Sequence, residues 1–157
     1  MGLFEWIQGS ALGEYVAVSA YGYPIMIMLH SLGLAIMVGL SVVLSLRVLG
    51  MFSAIPFSSL YKLLKIAWIG FIVNFLSGGA LFTSNATSFI VDPVFLIKMS
   101  MVILGAIFVA IMQSMIKTSL ATGQADSGAS DKLKLMAWLS IAAWTVGMVT
   151  GRLIAYL

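Results

Sequence analysis

Cysteine is absent from these 157 residues, which excludes disulfides, thiolate metal sites and cysteine nucleophiles. Charge is scarce as well. Asp, Glu, Lys and Arg make up 8% of the chain, against about a quarter of a soluble domain. No run of Lys and Arg marks a nucleic-acid surface. Residues 1–22 carry Glu5 and Glu14 but no Lys or Arg, so they lack the basic start of a signal peptide. Histidine occurs once, at His30. The carboxylates all lie near loops, and no serine–histidine–carboxylate set falls at one depth, which sets hydrolytic catalysis aside.

What is present is apolar: 62% of the residues are hydrophobic. A soluble globule of that composition would lack polar groups to cover its outside. The chain therefore reads as an all-α membrane protein, a four-transmembrane-helix bundle in one domain over 1–157. Spans are expected over about 23–49, 61–83, 94–116 and 132–156, each roughly of bilayer length. A Gly/Ser/Asp-rich loop joins the last two, and no internal repeat is evident.

A short interfacial segment over about 1–21 precedes them, interrupted near Gly9-Ser10. There Leu3, Phe4, Trp6, Ile7, Leu12, Tyr15, Val16 and Val18 can share one side, with Trp6 and Tyr15 at headgroup level. Positive charges settle orientation. Arg47, Lys62 and Lys65 flank the first loop, and Lys117, Lys132 and Lys134 flank the third, so both loops are expected in the cytoplasm and both termini outside.

An ionisable group inside a hydrocarbon-length helix is costly and marks a functional site by default. His30 lies six residues past Pro24, about 9 Å below the outer end of its span at 1.5 Å per residue. Lys98 and Arg152 enter the same outer half from the third and fourth spans, and Asn74 from the second. No carboxylate sits inside the membrane to pair with them, and Asp92 just outside is the nearest. Either the two cations snorkel to the outer headgroups or they hold an anion.

Haem b has the shape such a site would take: two propionates at one edge and an iron at the centre that needs an imidazole. On that reading His30 ligates the iron, Lys98 and Arg152 hold propionates, and Gly33, Gly147 and Gly151 make room for the flat macrocycle. A sixth ligand is open between Met148, Met99, water or none. The bland alternatives are an imidazole hydrogen-bonded across the bundle, methionines that fill gaps, and a Gly147-xxx-Gly151 helix contact. Gln113 is expected to bond across the bundle from the inner half of the third span, and Asn85-Ala86-Thr87 reads as an incidental acceptor pattern.

The run LHSLGLAIMVGLSVVLSLRVLG, the stretch DPVFLIKMSMVILGAI and the ending GRLIAYL together resemble a large family of small four-helix bacterial inner-membrane proteins known only as a domain of unknown function. His30, Arg47, Lys98 and Arg152 fall on its motif positions. Members often carry a second histidine where this chain has Gln113, so the likeness carries over the His30 cluster and not a site on the cytoplasmic side. More distantly, the chain is similar to the haem-binding copper-resistance D proteins and the four-helix protoporphyrinogen oxidases.

The leading expectation is a haem b-binding electron-transfer subunit in the inner membrane. The second is a non-catalytic accessory subunit of a larger membrane complex or a homo-oligomer. Transport of a small anion or metal ranks third.

Overall fold

A computed structural model of the chain describes residues 2–123, 128–154 and 156. Its helices are α1 (Leu3–Gln8), α2 (Ala11–Val18), α3 (Gly22–Val48), α4 (Phe57–Thr83), α5 (Ala86–Phe89), α6 (Pro93–Ala121) and α7 (Asp131–Leu153). Of these, α3, α4, α6 and α7 are long and apolar enough to cross a membrane. The protein is an all-α, multi-pass membrane protein built on a four-helix bundle.

The helix ends follow local chemistry. Gly50, at φ +97°, closes α3 with a Schellman motif: Met51 N donates to Leu46 O at 3.0 Å and Gly50 N to Arg47 O at 3.1 Å. Pro93 occupies the first turn of α6, where its missing N–H costs nothing, and Asp92 Oδ1 caps that turn by accepting from Val94 N at 2.8 Å. Ser130 Oγ does the same for α7, accepting from Leu133 N at 3.3 Å.

Two ends differ from expectation. α4 begins at Phe57, because Pro56 already supplies the extended residue a helix start needs. α6 runs on to Ala121, past Lys117; lysine is a good helix former, so a charge marks the edge of the apolar stretch without breaking the helix. The middle of the third loop, 124–127, and position 155 of the expected fourth span lie outside the described residues.

The four spans form a ring in the order α3, α4, α6, α7, with each neighbour antiparallel. α3 packs along α4 and α6 along α7, and the α3–α7 and α4–α6 contacts that join the two pairs are slighter. One end of the ring gathers Arg47, Lys62, Lys65, Lys117, Lys132 and Lys134 and is called here the basic end. The other is capped by α1, α2 and α5.

The buried apolar core lies in the basic half. Met37, Leu44, Leu64, Val109 and Met112 are all essentially inaccessible there, and Trp144, just past the middle of α7, closes the core at mid-depth. α6 has no buried residue before Gly105. Lipid tails are as apolar as these side chains, so the basic half is held by close packing and dispersion rather than by exclusion of water. Across it Trp68 Nε1 donates to Gln113 Oε1 at 2.8 Å, the bond from Gln113 that the sequence led one to expect.

The N-terminal segment does not present a single apolar face. Ser10 Oγ accepts from Gly13 N and starts a new helix after the break at Gly9, which redirects the chain. Val16 is fully buried, while Leu3, Trp6, Leu12, Tyr15 and Val18 are exposed. α1 docks on the bundle: Gln8 Oε1 accepts from Thr87 Oγ1 at 2.8 Å and from Thr87 N at 3.2 Å, and Phe4 meets the ring of Phe82 edge-on.

Candidate functional site

His30 sits half-buried on α3, at its seam with α4. The seam is very close. A Cβ added to Gly33 would lie 2.5 Å from the carbonyl oxygen of Gly70 and 2.6 Å from the amide nitrogen of Asn74. One turn toward the cap end, the imidazole lies against Gly78, where a Cβ would come within 2.9 Å of the ring. The α4 residues Gly70, Asn74 and Gly78 recur every four positions, so they line the single helix face that receives α3.

The hydrogen bonds across this seam are reciprocal. His30 Nδ1 is 2.9 Å from the backbone oxygen of Asn74, and the Asn74 side-chain Nδ2 donates to the backbone oxygen of His30 at 2.8 Å. A carbonyl oxygen can only accept, so Nδ1 carries the proton. In the neutral ring Nε2 then holds the lone pair. The Asn74 amide nitrogen is 3.2 Å from Nδ1, which, protonated, cannot accept from it, and 3.5 Å from Nε2, too far for a strong bond. A backbone carbonyl on one imidazole nitrogen, with the other left as donor atom, is the arrangement that fixes a metal-ligating histidine.

Lys98 is half-buried on α6, and its stem crosses to α7. A Cβ on Gly151 would touch Lys98 Cε at 3.5 Å and lie 3.9 Å from Nζ. Asp92, the nearest carboxylate by sequence, is engaged in capping α6. Above this level stand the rings of Phe82, Phe89 and Phe95, stacked with centroids 5.3 to 6.3 Å apart. Phe82 is one turn outward from Gly78 and Phe95 about one turn outward from Lys98, so the aromatic stack roofs the level that His30 and Lys98 share.

The structure thus brings together His30, Asn74 and Gly78, and separately Lys98 and Gly151. It changes the parts assigned to four residues. Gly33 is not a bed for a flat ligand, because the backbone of α4 already fills that face. Met148 is 41% exposed. The buried face of α7 runs through Ala143, Gly147 and Thr150, and one residue past Gly147 turns the side chain about 100° off that face. Arg152, two residues past Thr150, is exposed for the same reason, as a cation reaching for the headgroups would be. Gly147 receives Met101 and Val102 of α6 rather than open space.

For haem b, the axial nitrogen and the cationic anchor fit and the glycine bed does not. Among the described residues no three His, Cys, Asp or Glu side chains could hold a bare metal ion, so a metal at His30 would need a group bringing its own donors.

Sequence reasoning noted Asn74 but missed that its backbone oxygen fixes the imidazole, and it missed Gly78 and the phenylalanine roof. The four-residue spacing from Gly70 to Gly78 was the available signal. No family model matches the chain, and neither does any curated protein or solved structure.

Proposed function

We propose that the outer half of the bundle binds an anionic ligand between Lys98 and His30, and that with haem b as that ligand the protein is an electron-transfer subunit of a bacterial inner membrane. The observation that carries this is the bond from His30 Nδ1 to the Asn74 carbonyl, which leaves Nε2 as a fixed donor in a half-buried position. The thin packing supports it. The first third of α6 contributes nothing to the buried core, so the two helix pairs are least tightly joined where His30 and Lys98 lie. Bound haem would supply one-electron chemistry. The chain's own residues would hold the ring nitrogen in place, offer a cation to a carboxylate, and keep water out with the three phenylalanines. On this reading the basic end faces the cytoplasm and both termini the periplasm, and the likeness to the four-helix domain of unknown function belongs to the same proposal.

The test is an absorption spectrum of the purified protein. A Soret band that His30→Ala abolishes and Lys98→Gln weakens supports the proposal. A colourless preparation that stays colourless after reconstitution with haemin, while folded, removes it. A second reading is favoured by one observation. The His30–Asn74 bonds are satisfied with no ligand, so they can serve as a helix clasp in an accessory subunit. That reading expects His30→Ala to lower stability without any chromophore to lose.

A further inference from the structure

Around the ring of spans, α4 and α6 are the neighbours that touch least. Toward the basic end their seam is crossed by the 2.8 Å bond from Trp68 Nε1 to Gln113 Oε1. An indole N–H can only donate, so the Gln113 oxygen faces it and the amide –NH2 points away. That –NH2 has no hydrogen-bond partner among the described residues, although Gln113 is half-buried and lies one turn inside Lys117. A donor left unpaired at membrane depth is costly, so it calls for an acceptor from outside the chain.

Outward from this bond the seam has an aromatic wall. Trp68 and Phe71 meet edge-on with centroids 5.6 Å apart, and Phe71 stacks with Phe75 at 6.3 Å. Positions 68, 71 and 75 share one side of α4. Phe75 is nonetheless 61% exposed, so the seam is open to the bilayer there. Inward from the bond stand two cations. Lys65 comes three residues before Trp68 and Lys117 four residues after Gln113. Each therefore lies one turn nearer the basic end, on the face its helix turns toward the seam. Both are exposed, and neither forms an ion pair among the described residues.

We propose that the α4–α6 seam holds an anionic phospholipid of the leaflet at the basic end. Lys65 and Lys117 take its phosphate, the Gln113 –NH2 donates to an ester carbonyl, and an acyl chain lies along Phe71 and Phe75. The order of groups along the seam matches such a lipid. Going into the bilayer, a glycerophospholipid presents phosphate, then ester carbonyls, then hydrocarbon. The seam presents two cations, then an amide donor about 6 Å deeper, then bare rings. A soluble anion would meet only the cations, and an uncharged apolar guest would leave them unmatched. Bound there, the lipid bridges the two helix pairs where they touch least.

Native mass spectrometry of the full chain, released from micelles holding equal phosphatidylglycerol and phosphatidylcholine, tests this. Wild type is expected to retain phosphatidylglycerol preferentially. Lys65→Gln and Lys117→Gln should each lower that preference about fivefold, the worth of one cation near a lipid phosphate. Lys62→Gln is the control: it is exposed on the same helix, but six residues before Trp68 it is turned about 120° from the seam, and it should leave the preference unchanged. The ester contact is read separately in wild type. Diester phosphatidylglycerol should be retained about threefold over its diether analogue, which has no carbonyl for the Gln113 amide. Equal retention of phosphatidylglycerol and phosphatidylcholine by wild type, an unchanged preference in both lysine variants, or an equal loss in Lys62→Gln overturns the proposal. Equal retention of the diester and diether lipids overturns the part given to Gln113. A dimer that carries no lipid would assign the seam to a second copy of the chain and overturn the lipid as its occupant.

Discussion

Replacing Gly33 by alanine should part α3 from α4. The added methyl would sit 2.5 Å from the Gly70 oxygen and 2.6 Å from the Asn74 nitrogen, both backbone atoms of a continuous helix that cannot rotate aside. Ordinary contact begins near 3.4 Å, so the helices must separate by the difference, about 0.9 Å. Overpacking of this kind costs about 1–3 kcal/mol. The His30–Asn74 bonds, now 2.9 and 2.8 Å, lie one turn away and would stretch past 3.5 Å if the seam opened evenly. Interhelical bonds in membranes average about 0.6 kcal/mol each, so the total loss should be about 2–4 kcal/mol. Gly39→Ala is the control on the same helix, because nothing lies within 4 Å of its added methyl; it should be neutral or stabilising by up to about 1 kcal/mol. Reversible unfolding in mixed micelles measures both. If Gly33→Ala unfolds within about 0.5 kcal/mol of Gly39→Ala, the close seam is not what positions His30.

Asn74→Leu removes the bond to the His30 carbonyl but not the backbone oxygen that holds Nδ1, so it should cost about 0.6–1.7 kcal/mol in the same unfolding assay. Gln113→Leu leaves the Trp68 indole N–H without its acceptor and should destabilise by about 1–3 kcal/mol, with a change in indole fluorescence that Gln113→Glu largely restores. Ser140→Ala should be neutral or slightly stabilising, because the Ser140 hydroxyl is buried with no partner among the described residues and its removal relieves that burden; a lower melting temperature would contradict this. Single cysteines placed at the exposed positions Ser53 and Ser88 should be labelled by an impermeant maleimide from opposite sides of the membrane, Ser88 from outside in intact cells. The chain has no cysteine of its own, so the labelling has no background.

The bundle was legible in the sequence because apolar length alone reports a span, and Gly50 and Asp92-Pro93 punctuate it with residues whose backbone needs are specific. The depth of His30 and Lys98 was legible too, since depth along a helix is a matter of counting. Rotation about the helix was not. In lipid the outward and inward faces are both apolar, so the periodicity that marks a buried face in water fades. That is why Met148 and Arg152 were expected beside His30 and instead face outward, although Gly147 and Thr150 next to them face in. The break at Gly9-Ser10 was legible, but the same fading hid which side of α2 packs on the bundle, where Val16 is buried and Tyr15 is not. Small residues were the exception that could have been used. On α4, Gly70, Asn74 and Gly78 mark the inward face because only there does a missing side chain have a purpose.

The two halves of the bundle are held by different means, and this bears on what each can do. In the basic half, large apolar side chains from all four spans interlock, and any motion there must break many dispersion contacts at once. In the half under the α1, α2 and α5 cap, α3 and α4 are joined by backbone proximity and a pair of hydrogen bonds, while α6 and α7 are joined through Gly147, Gly151 and the stem of Lys98. One link between the pairs there is the stack of Phe82 on α4 with Phe95 on α6, a contact worth about 0.5–1.5 kcal/mol beyond its area. On the proposed reading, a guest reaching His30 would displace little there, while the basic half kept the four helices together. Phe95→Ala tests this ordering. It should raise hydrogen exchange in the first turns of α6 and leave α6 beyond Gly105 protected, because the second segment is buried independently of the first. Uniform loss of protection along α6 would mean that the bundle opens as one unit, and the outer half would then have no independent freedom with which to admit a ligand.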